Sequence, residues 1–169
     1  MNNKKLVPVL CAIVFTIALF SSQSIAAKDG INWQSYEAGI QKIKDEKKKG
    51  FLHFYTDWCK YCKIMNAQTF SDAKIIAYLN ENFVSIRINA EKQRDVARKY
   101  GVNRFPNTWF LSEDSSSLSS QPGFIQPDML LAILKFLNTD SYKKMRFSDY
   151  MKLEEKQTKA KKANYKKAN

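Results

Sequence analysis

Tyr55-Thr56-Asp57-Trp58-Cys59-Lys60-Tyr61-Cys62-Lys63 holds two of the three cysteines in this 169-residue chain, and its reading decides the fold. Thiols three positions apart close a small ring without drawing distant chain together. Such a pair opens and recloses cheaply, which suits disulfide exchange. It suits a structural staple poorly, because a staple gains most by closing a long loop. Zinc binding is the rival chemistry for this spacing. It needs about four ligands, and the rest of the chain offers one distant His and Cys11. No metal and no organic cofactor is expected, since electrons would enter and leave through the cysteines.

Working outward, residues 51–56 have the length and composition of a buried strand, and 60–69 those of a helix. Upstream, Asn32 can cap a helix over 33–49, with Tyr36, Ile40 and Ile43 at helical spacing and Gly50 as its stop. Downstream, Ser71 or Asp72 can start a helix ending near 82. Residues 83–88 alternate as a second strand. Residues 91–100 form a helix stopped by Gly101 in a left-handed conformation. A third strand over 107–111, a Ser-rich turn over 113–120 and an edge strand over 121–125 follow. Pro127 opens a last body helix through 137. Strands alternating with helices predict an α/β domain with a central mixed sheet flanked by helices.

The order strand, Trp58-Cys59-x-x-Cys62-Lys63, helix, joined to Tyr100-Gly101-Val102-Asn103-Arg104-Phe105-Pro106 before a strand, resembles the thioredoxin-like oxidoreductases. The stretch 55–76, with Thr69-Phe70-Ser71-Asp72, narrows the resemblance to the C-terminal domain of the bacterial transmembrane reductase DsbD and to exported thioredoxin-related proteins. It covers roughly residues 31–137. It implies a thioredoxin fold and a redox-active Cys59–Cys62 disulfide that exchanges with protein disulfides or thiols. A membrane protein would act as electron donor. A monomer is expected.

Placed at a helix N-terminus, Cys59 would be an exposed thiolate nucleophile, stabilised by unpaired N–H groups and the helix dipole. Lys60 would tune it in the same direction, and Cys62, one turn further in, would be the shielded resolving thiol. Trp58 and Tyr61 are candidates for a substrate rim, with Trp58 expected to pack and Tyr61 to be exposed. Resemblance implies that the Phe105-Pro106 bond is cis and that both residues position an extended substrate. Asn107 intervenes where the family commonly has Thr directly after this proline. His53, six residues before Cys59, falls where classical thioredoxins carry a buried Asp, and Arg87 falls where they carry its Lys partner. His53 is therefore a candidate for moving the Cys62 proton, and Arg87 for favouring thiolate. Ordinary strand packing is the competing role for His53. Asp57 is read as a turn residue.

The ends speak to compartment. Lys4 and Lys5, an apolar run over 6–20 and the small-x-small Ser24-Ile25-Ala26 read as a signal peptide over 1–26. The run is 15 residues, short of the roughly 20 that span a bilayer, and an uncleaved anchor is the alternative. Cys11 lies inside the run and would leave with the signal. Periplasmic export follows, and few cysteines for an exported domain argues for working thiols. The thioredoxin-like domain is placed at 27–140 and a basic extension at 141–169. Of the net charge of +12, the extension carries ten basic residues against Asp149, Glu154 and Glu155. Its helical apolar pattern ends near Leu153, so docking to about 153 and mobility beyond are expected. The extension is read as a solvated helix or a surface for an anionic partner. Nucleic acid is excluded as the partner, since no stacking platform interleaves with the lysines.

Overall fold

The computed structural model describes residues 30–168. The signal-peptide reading, with Lys4, Lys5, Cys11 and the cut after Ala26, lies outside these residues. Among the described residues no helix is long and apolar enough to cross a membrane.

The elements run β1 (Trp33–Gln34), α1 (Tyr36–Glu46), β2 (Lys49–Tyr55), α2 (Lys60–Gln68), α3 (Ala73–Asn82), β3 (Phe83–Asn89), α4 (Arg94–Lys99), β4 (Asn107–Leu111), β5 (Ser117–Pro122), α5 (Pro127–Asn138) and α6 (Phe147–Ala168), with a 3-10 turn at Ser141–Lys143. They build one five-stranded sheet in the order β1-β3-β2-β4-β5. Strands β1, β2 and β3 are parallel, while β4 runs antiparallel to both β2 and β5. The mixed sheet flanked by helices is the expected class.

Strand β2 is central, and its side chains alternate between two cores. Phe51 joins Met65 of α2, Ile75 and Leu79 of α3, Phe110 of β4 and Leu130 and Leu134 of α5. Leu52 and Phe54 join Ile43 of α1, Ala97 of α4 and Val84, Ile86 and Ile88 of β3. Among the described residues, both cores are drawn from between Ile31 and Met151.

Three local expectations are corrected. Residues 33 and 34 are not helical: they pair with Ser85 and Ile86 as a short edge strand, and the Asn32 N–H donates to Asn80 Oδ1 at 2.9 Å. Helix α1 starts after Ser35 and ends at Lys47, whose left-handed φ of 50° does what was expected of Gly50. Gly50 instead lies inside β2, where an added Cβ would press on Ile43 and Leu111. The fifth strand is Ser117–Pro122, so the second half of the expected Ser-rich turn is strand. It was hidden because an exposed edge strand buries too little to show apolar alternation. Gly101 does stand at a positive φ, 63°, just after α4.

Helix α6 continues without a break across Glu154, to Ala168. Its packing residues are Phe147, Tyr150 and Met151, and Leu153 is already exposed. The rings of Phe147 and Tyr150 lie 5.3 and 5.2 Å from Phe136 of α5.

One buried cation opens β2. Lys49 is 4% exposed, and its ammonium pairs with Glu113 at 2.6 Å and Asp140 at 2.9 Å. Burial opposes its charge, but hydrogen bonds to Glu113 and Asp140 outweigh it and hold the pKa above the ordinary lysine value. Hydrogen bonds from Lys49 and Lys143 hold Asp140 down at about 2. Replacing both acids (Glu113→Gln with Asp140→Asn) should cost about 2–3 kcal/mol in urea unfolding at pH 7. That is less than a fully buried pair, because both acids are partly solvated. Lys49→Met, which removes the buried charge itself, should change stability by under about 1 kcal/mol. The Asp140 contribution should be present above its unfolded pKa of 3.8 and disappear as pH falls through about 2.

Candidate active site

β2 ends at Tyr55 and a turn closed by Cys59 N–H to Thr56 O, at 3.3 Å, delivers the chain to α2. Cys59 is the N-cap of α2, and its sulfur accepts from the Cys62 N–H at 3.1 Å. The cap is a sulfur at the positive end of a helix, where negative charge is stabilised. Cys59 and Cys62 form a disulfide with Cα atoms 5.3 Å apart. The expected asymmetry of exposure is nearly absent: Cys59 is 4% exposed and Cys62 1%. In the disulfide Cys59 is therefore a buried sulfur, contrary to its reading as the open member of the pair. Lys60, at the first position of α2, is exposed.

Trp58 corrects a second expectation. It does not pack inward but is 68% exposed, alongside Tyr61 at 60%. The turn before α2 carries it outward, and two contacts then hold it. Its indole N–H donates to Glu91 Oε1 at 3.1 Å, and its ring stands edge-on to Phe105, with centroids 6.1 Å apart. Glu91 also accepts from the Asp57 N–H through Oε2 at 3.3 Å, so one carboxylate holds two consecutive residues before the cysteines. The Trp58–Phe105 contact places the Phe105-Pro106 loop beside the disulfide turn. That peptide bond is cis. Pro106 is buried, and its carbonyl accepts from the Gly123 N–H at 2.8 Å. Asn107, the inserted residue, starts β4 opposite Phe54.

His53, Arg87 and Thr108 are register partners on three adjacent strands, so they share the sheet face on which α2 packs. His53 is fully buried, 4.7 Å from the Phe70 ring and stacked on Tyr55. Among the described residues neither ring nitrogen has a hydrogen-bond partner, and the Thr108 hydroxyl and Arg87 Nε likewise find none there. The Arg87 guanidinium lies 4.5 Å over the Tyr55 ring and 5.8 Å from that of Trp33. Burial, aided by the Arg87 charge, lowers the His53 pKa from 6.5 to about 3. The ring is neutral throughout the working range.

Sequence reasoning missed Glu91. An acid at the start of an expected helix offered only the signal of a helix N-terminus. In the structure α4 starts later, at Arg94, because the Asn89 side chain caps the intervening turn by accepting from the N–H groups of Glu91 and Lys92. No cluster of three or more metal-ligating side chains occurs among the described residues.

A sheet of this order, with a cysteine pair at the N-terminus of the helix after its central strand, defines a class of dithiol domains. The thioredoxin-like domain model matches residues 36–138, and the chain belongs to that family. A protein disulfide isomerase-like protein of Oryza sativa is 32% identical over 87 residues, covering 52% of this chain; the match spans only 20% of that relative's length. The DsbD C-terminal domain of Neisseria meningitidis superposes with a TM-score of 0.50 at 25% identity, covering 59% of this chain and 90% of that one. A thioredoxin-fold protein of Helicobacter pylori reaches 0.61 at 16% identity, over 76% and 94% of the two chains, a likeness of fold.

Two measurements check this geometry. Glu91→Ala should free the indole, shifting and broadening Trp58 fluorescence and raising its quenching by acrylamide at least about twofold, at a stability cost near 1 kcal/mol. For His53 the unfolded chain binds the extra proton first. Its stabilising effect is full above pH 6.5 and falls by up to about 1.4 kcal/mol per pH unit as pH drops toward 3. In urea titrations His53→Leu should remove that slope between pH 6.5 and 4.

Proposed function

We propose that this protein is an exported thiol–disulfide oxidoreductase that reduces protein disulfides by dithiol exchange. The observation that carries the reading is the Cys59–Cys62 disulfide at the N-cap of α2, its sulfur held by the Cys62 N–H beside the Phe105-Pro106 loop. A membrane electron donor supplies two electrons, and with two protons taken from solvent the disulfide opens to the dithiol. The Cys59 thiolate attacks one sulfur of a substrate disulfide, and the other sulfur leaves as a thiolate that takes a proton. The Cys62 thiolate then attacks Cys59, releases the second substrate thiol and restores the disulfide. Trp58, Tyr61 and Phe105 form the apolar rim on which substrate chain lies, with Pro106 as the opposing wall. Lys60 and Arg87 favour the thiolate form.

His53 serves this cycle as a relay. A ring neutral down to about pH 3 does not store a proton. It passes one on by taking it at one nitrogen and releasing it from the other. Arg87, Lys60 and the sulfur cap each stabilise the reduced form and pull the site toward oxidation of substrates, the competing direction. Potentials of about −270 mV for thioredoxin and −120 mV for DsbA bracket the choice.

Insulin reduction driven by dithiothreitol should be lost in Cys59→Ser, whereas Cys62→Ser should accumulate a mixed disulfide visible on non-reducing gels. Equal rates for wild type and the double variant would leave a non-catalytic binding module. Equilibration with glutathione buffers decides direction: a value near the thioredoxin end supports the reductase, and one near −120 mV assigns an oxidase. An unchanged pH profile of Cys62 release in His53→Ala would remove the relay.

A further inference from the structure

Helix α6 is held at one end. Phe147, Tyr150 and Met151 bury its first turns against α5. Beyond them it carries Lys152, Lys156, Lys159, Lys161, Lys162, Lys166 and Lys167 against Glu154 and Glu155. At about 100° per residue, Lys152, Lys156 and Lys159 fall within an arc of about 60° opposite Phe147 and Tyr150, and Lys162 widens it to about 120° toward the side of Met151, about three turns beyond that residue. The packed turns thus aim Lys152, Lys156 and Lys159 away from the body, and with Lys162 the lysine stripe is about 15 Å long. Lys152, Lys156, Lys159 and Lys162 are all exposed. Two acids meet the arc: Glu155, within it, pairs with Lys159 at 2.6 Å, and Asp149, at its edge, lies 3.9 Å from Lys152. Glu154 lies on the packed side.

We propose that this face of α6 is a binding surface for anionic lipid headgroups. The stripe holds no large apolar or aromatic residue, so it lacks the buried anchor on which a protein interface depends. All its cations are lysines, point charges that follow a diffuse charged surface, without the planar fork with which arginine grips one carboxylate. A straight stripe brings every ammonium within a Debye length, about 8 Å, of a flat surface at once. Lipid binding stands without the redox reading. Its consequence, a disulfide site held near a membrane electron donor, rests on that reading.

The test uses residues 30–169, which contain every described residue of both cores, and omits the apolar run over 6–20, whose hydrophobicity would add bilayer affinity unrelated to the lysines. Sedimentation with phosphatidylcholine vesicles holding about 30% phosphatidylglycerol should show binding at least about tenfold tighter than with phosphatidylcholine alone. The difference should vanish between about 50 and 300 mM salt. Replacing Lys152, Lys156, Lys159 and Lys162 together by Gln, a comparable helix former, should weaken binding at least about tenfold. Circular dichroism and insulin reduction should be unchanged. Equal binding to both vesicles, no loss in the Gln variant, or tighter binding to a single-stranded oligonucleotide than to the anionic vesicles would each overturn the proposal. Loss of insulin reduction in wild type, with lipid binding intact, would instead count against the redox reading.

Discussion

Strand β2 has no solvent face. Apart from Tyr55, its residues are all buried, paired with β3 along the whole strand and with β4 from Gly50 to Phe54, with helices covering both surfaces. Burying one of its larger apolar side chains is worth roughly 1.5–3 kcal/mol, so this strand is the least movable part of the molecule. The cysteine turn hangs directly from its end. The position of Cys59 is thus set by a core that has no part in the chemistry, and Trp58 and Glu91 trim only the last few ångströms.

The same burial makes the two polar residues of β2 expensive, and the fold treats them differently. Lys49, at the rim, keeps its charge because two acids reach it. His53, in the middle, has no acid partner among the described residues, and burial keeps it neutral. A carboxylate at that position would face Arg87 in register, as an ion pair beneath the helix. The imidazole leaves Arg87 to lie against aromatic rings instead.

The sheet core, the cysteine pair and the last body helix were legible because Phe51, Leu52, Phe54 and the run through Leu137 are buried, and burial writes itself as apolar residues. Strand β1 was not: two residues carry no period, and their pairing with Ser85 and Ile86 depends on chain about 50 positions away. β5 was misplaced for the opposite reason, since its serines and Gln121 face solvent and resemble a turn. At the site, the cysteines could be read from spacing. Glu91 could not, because its partner Trp58 lies 33 positions before it and only the folded turn brings them together. Trp58 was expected to pack because it is large and apolar, yet a tethered indole N–H and one edge contact hold it at the surface.

The sulfur of Cys59 has two occupations, as the reacting atom and as the cap of α2. Reduction and ionisation would turn a neutral sulfur acceptor into a charged one, and hydrogen bonds to charged groups are roughly twice as strong. The hydrogen bond at the helix start would then be firmer in the reduced, ionised form than in the disulfide. Folding and electron transfer thereby become linked equilibria around one thermodynamic cycle. Whatever tightens the first turn of α2 selectively in the thiolate form must also raise the reduction potential, and the stability of that turn becomes a dial for redox poise.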